Sequence, residues 1–285
     1  MPYEFNFDES TFISVDVVAS GMGRAVVPLI FRNTDGTVHN QGTAFCLAGF
    51  QSGEALFATA RHVVAELDEP DLAIEPFVLL PRADSPNALV GVRVRQIAIA
   101  ETHSDVALVI VNINEADFPV AVPKTLSLTF GPPKLGQNTM ALGYGHADKK
   151  VPGAVSLSYN LSASRGEVTK LYDQHRDKIL VNFPAFETTG LYKPSMSGGP
   201  IIDTDGAVVG LITTGFETGD GETPIGHGAC TGALAELKVE LTTDQGVVAE
   251  FPISRLAEIG VLGSDGTKLS LHRSDDGVQL VWPTE

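Results

Sequence analysis

Short apolar runs ended by turn residues repeat along this chain, while segments with helical periodicity are scarce. Ala25–Phe31, Gly42–Ala48, Leu56–Ala60, Phe77–Leu80, Val106–Asn112 and Val208–Thr214 have the length and composition of strands. Val90, Val92 and Val94 alternate with Gly91, Arg93 and Arg95, the two-residue period of a strand with one buried face. The 29 Gly and 17 Pro punctuate these runs, and Thr34-Asp35-Gly36-Thr37, Thr204-Asp205-Gly206 and Asp276-Gly277 read as turns. Many short strands with frequent turns call for an all-β fold, either antiparallel barrels or a sandwich.

At 285 residues the chain is long enough for two folding units, or for one unit built from two halves. The stretch from Pro119 to Pro133, with further prolines at 123 and 132, is the most loop-like near the middle and is read as the boundary. Gly215 to Gly228 is read as a surface loop. Only one late segment reads as helix: Ile253, Leu256 and Ile259 share a face, Pro252 suits the first turn and Gly260 the C-terminal cap. After it, Lys268–Arg273 and Val278–Trp282 flank Ser274-Asp275-Asp276-Gly277 and predict an appended hairpin.

Charge narrows the partners. With 19 Lys and Arg against 35 Asp and Glu, the net charge is −16, which repels nucleic-acid phosphates and anionic lipid headgroups. No apolar run approaches the length of a membrane span. The first residues carry neither a basic segment nor an apolar core, so a cytoplasmic location and reduced Cys46 and Cys230 are expected. No phosphate loop, Cys-x-x-Cys pair or His-Glu-x-x-His word occurs, and no cofactor or metal is implied. His39, His103, His146, His175, His227 and His272 form no metal-ligand spacing and read as surface or loop histidines.

Three short words carry chemistry together. Phe57-Ala58-Thr59-Ala60-Arg61-His62-Val63-Val64 sets a histidine just after an apolar strand. Ser104-Asp105-Val106-Ala107-Leu108-Val109 sets an aspartate at the mouth of another. Ser195-Met196-Ser197-Gly198-Gly199-Pro200 sets a serine before two glycines and a new strand. Alone, each has a bland structural reading. In combination they supply what a serine nucleophile needs: an imidazole to take its proton, and a carboxylate to orient that imidazole and stabilise its cation.

On these words the sequence resembles the trypsin-like serine peptidases, and most closely their bacterial HtrA-type branch without an evident PDZ domain. Gly42-Thr43-Ala44-Phe45, Leu142-Gly143-Tyr144-Gly145, Arg165-Gly166-Glu167-Val168-Thr169, Val209-Gly210-Leu211-Ile212-Thr213-Thr214-Gly215 and Glu250-Phe251-Pro252-Ile253 add to the likeness. The resemblance implies two packed six-stranded antiparallel β-barrels. Residues 1–130 would carry His62 and Asp105, residues 131–262 Ser197 and the short terminal helix, and residues 263–285 the hairpin.

It further implies a serine endopeptidase in which His62 is general base and acid, Asp105 orients it, and Ser197 forms the acyl-enzyme. The backbone N–H groups of Ser195 and Ser197 would line the oxyanion hole. The Thr213 hydroxyl would support the aspartate, and Thr213, Thr214 and Gly215 would pair with an extended polypeptide substrate. Leu191 matches the base of the primary pocket, with Tyr192 beside it. An uncharged floor predicts small or medium apolar residues before the scissile bond. The alternative function is a protease-like peptide-binding module whose catalysis is weak or gated by a regulatory partner.

Two residues depart from the family pattern. Ser195 stands where a glycine usually begins the serine word, and its side chain restricts the angles that turn the N–H inward. Met196 stands where secreted digestive members use an aspartate to bind a newly cut N-terminus, so activity without such cleavage is expected.

Overall fold

The structure is a computed structural model that describes residues 12–14, 22–34, 38–65, 74–85, 87–100, 104–145, 160–216, 222–242, 246–263, 270–274 and 277–281. After the short strand β1 (Phe12–Ser14), six strands follow as β2 (Val26–Arg32), β3 (Val38–Gly49), β4 (Glu54–Thr59), β5 (Glu75–Pro81), β6 (Leu89–Ile99) and β7 (Ala107–Asn112). They close into an antiparallel barrel in the order β2-β3-β4-β7-β6-β5. The alternation in β6 appears as expected: Val90, Val92 and Val94 are buried, while Leu89, Gly91, Arg93 and Arg95 are exposed. Val27, Leu29, Phe31, Phe57, Val78 and Val109 belong to the cluster that fills this barrel. Truncating a buried phenylalanine such as Phe57 to alanine costs about 3–5 kcal/mol, because the cavity only partly collapses.

The second barrel uses β8 (Asn138–Gly145), β9 (Asn160–Tyr172), β10 (Ala185–Thr188), β11 (Pro200–Asp203), β12 (Val208–Phe216) and β13 (Ile225–Cys230). The order β9-β10-β13-β12-β11-β8 is closed by pairing of β8 with β9. The early strand β1 pairs with β9 at Ser162–Ser164, so a piece of the N-terminal segment joins the second barrel. Phe186, Tyr192, Met196, Ile201, Val209 and Ile212 form one of its buried clusters. Gly215–Gly228 is not all surface loop: β12 runs on to Phe216 and β13 begins at Ile225.

The two barrels share a third, larger cluster that includes Val26, Phe45, Leu108, Leu128, Met140, Leu142, Tyr144 and Leu211. The Tyr144 hydroxyl donates to the Val26 carbonyl at 3.1 Å across the seam. The Pro119–Pro133 stretch bridges both barrels, with Leu126 N–H bonded to Cys46 O at 2.9 Å and Thr129 N–H to Val208 O at 2.9 Å.

Beyond the second barrel lie the paired strands β14 (Lys238–Thr242) and β15 (Val248–Pro252), the helix Ile253–Glu258, and a hairpin of β16 (Ser270–Ser274) and β17 (Gly277–Val281). Pro252 is the N-cap of the helix rather than part of its first turn. Ile253 and Leu256 are buried, whereas Ile259 has left the helix and is 52% exposed. Gly260, at φ 73°, closes the helix with the paired bonds Val261 N–H to Leu256 O and Gly260 N–H to Ala257 O. Among the described residues no helix is long and apolar enough to cross a membrane.

Cys46 and Cys230 are both free thiols, and burial pushes each up to about 12. Thiols held protonated in this way behave as small packing groups.

Candidate active site

Strand pairing delivers His62 and Asp105 to one place. Thr59, the last residue of β4, lies opposite Ala107, the first residue of β7. Chain just beyond one strand therefore meets chain just before the other. A single helical turn, α1 (Arg61–Val64), follows β4, and its Val63 and Val64 are buried in the first barrel. Anchoring those two side chains turns His62 outward, where its side chain is about half exposed.

Asp105 is buried and bonds both the ring and the backbone of His62. Its Oδ2 lies 2.8 Å from His62 Nδ1, and its Oδ1 accepts the His62 backbone N–H at 2.9 Å. A carboxylate only accepts, so Nδ1 carries the ring hydrogen and Nε2 presents its lone pair.

The turn Ser195–Gly199 enters β11 and is bolted to both barrels. Within the second barrel, Gly198 N–H bonds Ile212 O at 2.8 Å and Ile212 N–H bonds Gly199 O at 2.8 Å. From the first barrel, Thr43 N–H reaches Ser197 O at 2.8 Å, and Thr43 Oγ1 donates to Ser195 O at 3.0 Å. Thr59 Oγ1 in turn donates to Thr43 O at 2.8 Å. Gly198 is at φ 83°, and a Cβ there would stand 2.2 Å from Thr59 Oγ1 and 2.8 Å from Ala60 N. Only glycine lets the serine turn lie this close to the residues that lead into His62. The turn that carries Ser197 is thus held against Thr43 and against Thr59 and Ala60, the residues that lead into His62.

Ser197 Oγ donates to the Thr213 carbonyl at 3.1 Å rather than to the imidazole. The expected support of Asp105 by the Thr213 hydroxyl is not made. Thr213 Oγ1 instead donates to His227 O at 3.1 Å, because it faces β13 rather than the first barrel. Ser195 takes φ 70°, the sole positive φ of a non-glycine residue among those described. The serine therefore adopts the glycine-like angle that its side chain disfavours.

β12 pairs with β11 no further than Leu211, and beyond Ile212 no described strand pairs with that edge. Thr213, Thr214 and Gly215 thus present a strand edge next to Ser197. Leu191 is half-buried with its N–H on Ser164 Oγ at 2.8 Å. Tyr192 packs its Cβ and carbonyl against Gly215 of this edge, is 5% exposed and is hydrogen-bonded to Thr188 Oγ1 at 2.8 Å.

Two groups escaped sequence reasoning. Thr43 read only as part of a strand, because its partners are remote in sequence. His227, read as a loop histidine, is fully buried in β13, with Nε2 3.9 Å from Glu187 Oε2. Neither of its ring nitrogens has a hydrogen-bond partner among the described residues. His103 and His146, and the side chains of His39 and His272, lie outside the described residues.

Residues 42–211 match the family model of the trypsin-like peptidase domain, a span that covers more than half of the chain and holds His62, Asp105 and Ser197. The chain belongs to this family and is by class a serine endopeptidase. Among solved structures it is similar to the active form of Rv3671c protease from M. tuberculosis, at 18% identity and TM-score 0.48, covering 92% of this chain and 96% of that one. The inactive form of Rv3671c protease aligns at 20% identity and TM-score 0.45, covering 85% and 92%. Deg5 aligns at 16% identity and TM-score 0.46, covering 73% and 85%. Comparison with curated protein sequences finds no match.

Proposed function

We propose that this serine endopeptidase cleaves extended polypeptides through Ser197, His62 and Asp105. The observation that carries the reading is the bond of Asp105 to both the backbone and the ring of His62, beside a serine turn held by the same barrel. Asp105 fixes the hydrogen on Nδ1, so Nε2 takes the proton of Ser197 Oγ as that oxygen attacks the scissile carbonyl carbon. The carbonyl oxygen becomes an oxyanion that accepts from the N–H groups of Ser195 and Ser197. Collapse breaks the C–N bond, and the Nε2 proton passes to the leaving amine. Water, deprotonated by the same nitrogen, then hydrolyses the acyl-enzyme and regenerates Ser197.

Substrate binding prepares this sequence. An extended chain added to the open edge of β12 offers an N–H to the Thr213 carbonyl, the group that holds Ser197 Oγ at rest. Taking that acceptor frees the hydroxyl to turn to the imidazole. The test is labelling by a fluorophosphonate probe together with turnover of an unstructured protein substrate. Ser197→Ala should abolish labelling, and Ser197→Ala or His62→Ala should each lower turnover by roughly 10⁴–10⁶ with the fold intact. A folded wild type that binds peptides but neither labels nor cleaves would make the chain a peptide-docking module instead.

A further inference from the structure

We infer that the ring of Tyr192 fills the pocket beside Ser197 and so restricts the residue before the scissile bond to glycine, alanine or serine. This rests on the catalytic reading above and goes beyond it by naming the residue that sets the substrate class.

The location follows from the contacts. Tyr192 precedes Ser197 by one short turn and packs against Gly215, two residues along β12 from the carbonyl that holds Ser197 Oγ. Three glycines surround it. A Cβ at Gly190 would stand 2.7 Å from Tyr192 Cε1, one at Gly226 would stand 2.5 Å from Cε2, and one at Gly215 would stand 2.8 Å from Cβ. Gly190 and Gly226 flank the ring on two sides while Gly215, on the substrate edge, meets the residue's carbonyl and Cβ, so the tyrosine fills a glycine-walled slot that starts at that edge. Its hydroxyl shares Thr188 Oγ1 with the Gly190 N–H, at 2.8 and 3.1 Å, so the ring is held at its far end as well as along both sides.

A large side chain entering this slot would have to expel a buried, hydrogen-bonded ring. A cationic one would also gain nothing from the neighbouring buried carboxylate among the described residues. The neighbouring buried acid, Glu187, turns to the other side of its strand and is held by Tyr172 Oη at 2.9 Å and Thr169 Oγ1 at 3.1 Å. Alternation along β10 keeps that carboxylate away from the face that carries Thr188.

The experiment compares paired peptide substrates and peptidyl phosphonate probes that differ only in Ala or Phe before the reactive bond. Wild type should favour Ala by about 100-fold in kcat/KM and in labelling rate, the scale on which pocket size discriminates. Tyr192→Ala should move the ratio toward Phe by about 100-fold, Tyr192→Val should move it part of the way, and Tyr192→Phe should keep the Ala preference. p-Cresol should raise the melting temperature of Tyr192→Ala, but not of wild type, by refilling the slot, and should restore the Ala preference. Wild type that labels on Ser197 yet prefers Phe, or a ratio unmoved in both folded Tyr192→Ala and Tyr192→Val, overturns the inference and leaves the catalytic reading standing. Folded wild type unreactive to both probes and both peptides overturns the two together.

Discussion

Ser195 holds a left-handed backbone angle that costs an L-residue roughly 1–2 kcal/mol and that glycine adopts freely. The carbonyl of the same residue is gripped by Thr43 Oγ1, so the surrounding structure enforces the angle. Ser195→Gly should therefore fold and turn over at close to the wild-type rate. A β-branched residue tolerates this region least, so Ser195→Val should lose about 10²–10³ in kcat, the value of one oxyanion donor. Steady-state kinetics with a circular dichroism check on folding decides between them. Equal kcat in the two variants would show that the angle does not matter to the reaction.

Strand β3 does more than close its barrel. Through Thr43 it grips the serine turn at two carbonyls, and its threonine hydroxyl also accepts the Tyr144 N–H of β8 at 2.9 Å. The element is thus a rigid link between the first barrel, the serine turn and the second barrel. Thr43→Val keeps the shape and the backbone bond but removes both hydroxyl bonds. Lowered kcat by roughly 10–100-fold at near-constant KM is expected, because about 1.4 kcal/mol corresponds to each tenfold change in rate. Thr43→Ser should restore the rate. A rise in KM with unchanged kcat would assign Thr43 to substrate binding instead of positioning.

At the scale of the whole molecule, the buried His227 couples stability to pH. Burial first, and then Arg176, lower it from the ordinary 6.5 to about 4 against the opposing pull of Glu187 and Asp177. Lys170 adds to the lowering, and the rings of Tyr172 and Phe216 complete its surroundings. The unfolded chain accepts the histidine proton before the native state does. Stability from this site is therefore whole above pH 6.5 and is lost as pH falls toward 4, by on the order of 3 kcal/mol. Glu187 is opposed by burial but held below its ordinary value by Tyr172, Thr169 and Lys170, and it adds a loss in the same direction below about pH 4.5. Denaturant midpoints measured from pH 7 to 4 should fall steeply in wild type and less so in His227→Leu. Parallel curves would contradict this assignment.

Much of this protein is written in local letters. Apolar runs and glycine or proline turns mark strands without reference to the rest of the chain, as Val90, Val92 and Val94 demonstrate. The histidine, aspartate and serine words are legible because the proposed chemistry demands those residue types in short fixed settings. What the letters left undecided involves partners distant in sequence. The Thr213 hydroxyl turned to β13, His227 became core rather than loop, and Tyr192 came to lie against Gly190, Gly215 and Gly226. Local pattern fixes which elements form, because backbone propensity and hydrophobic period act over a few residues. Only barrel closure decides which side chains then compete for one space or one hydrogen bond.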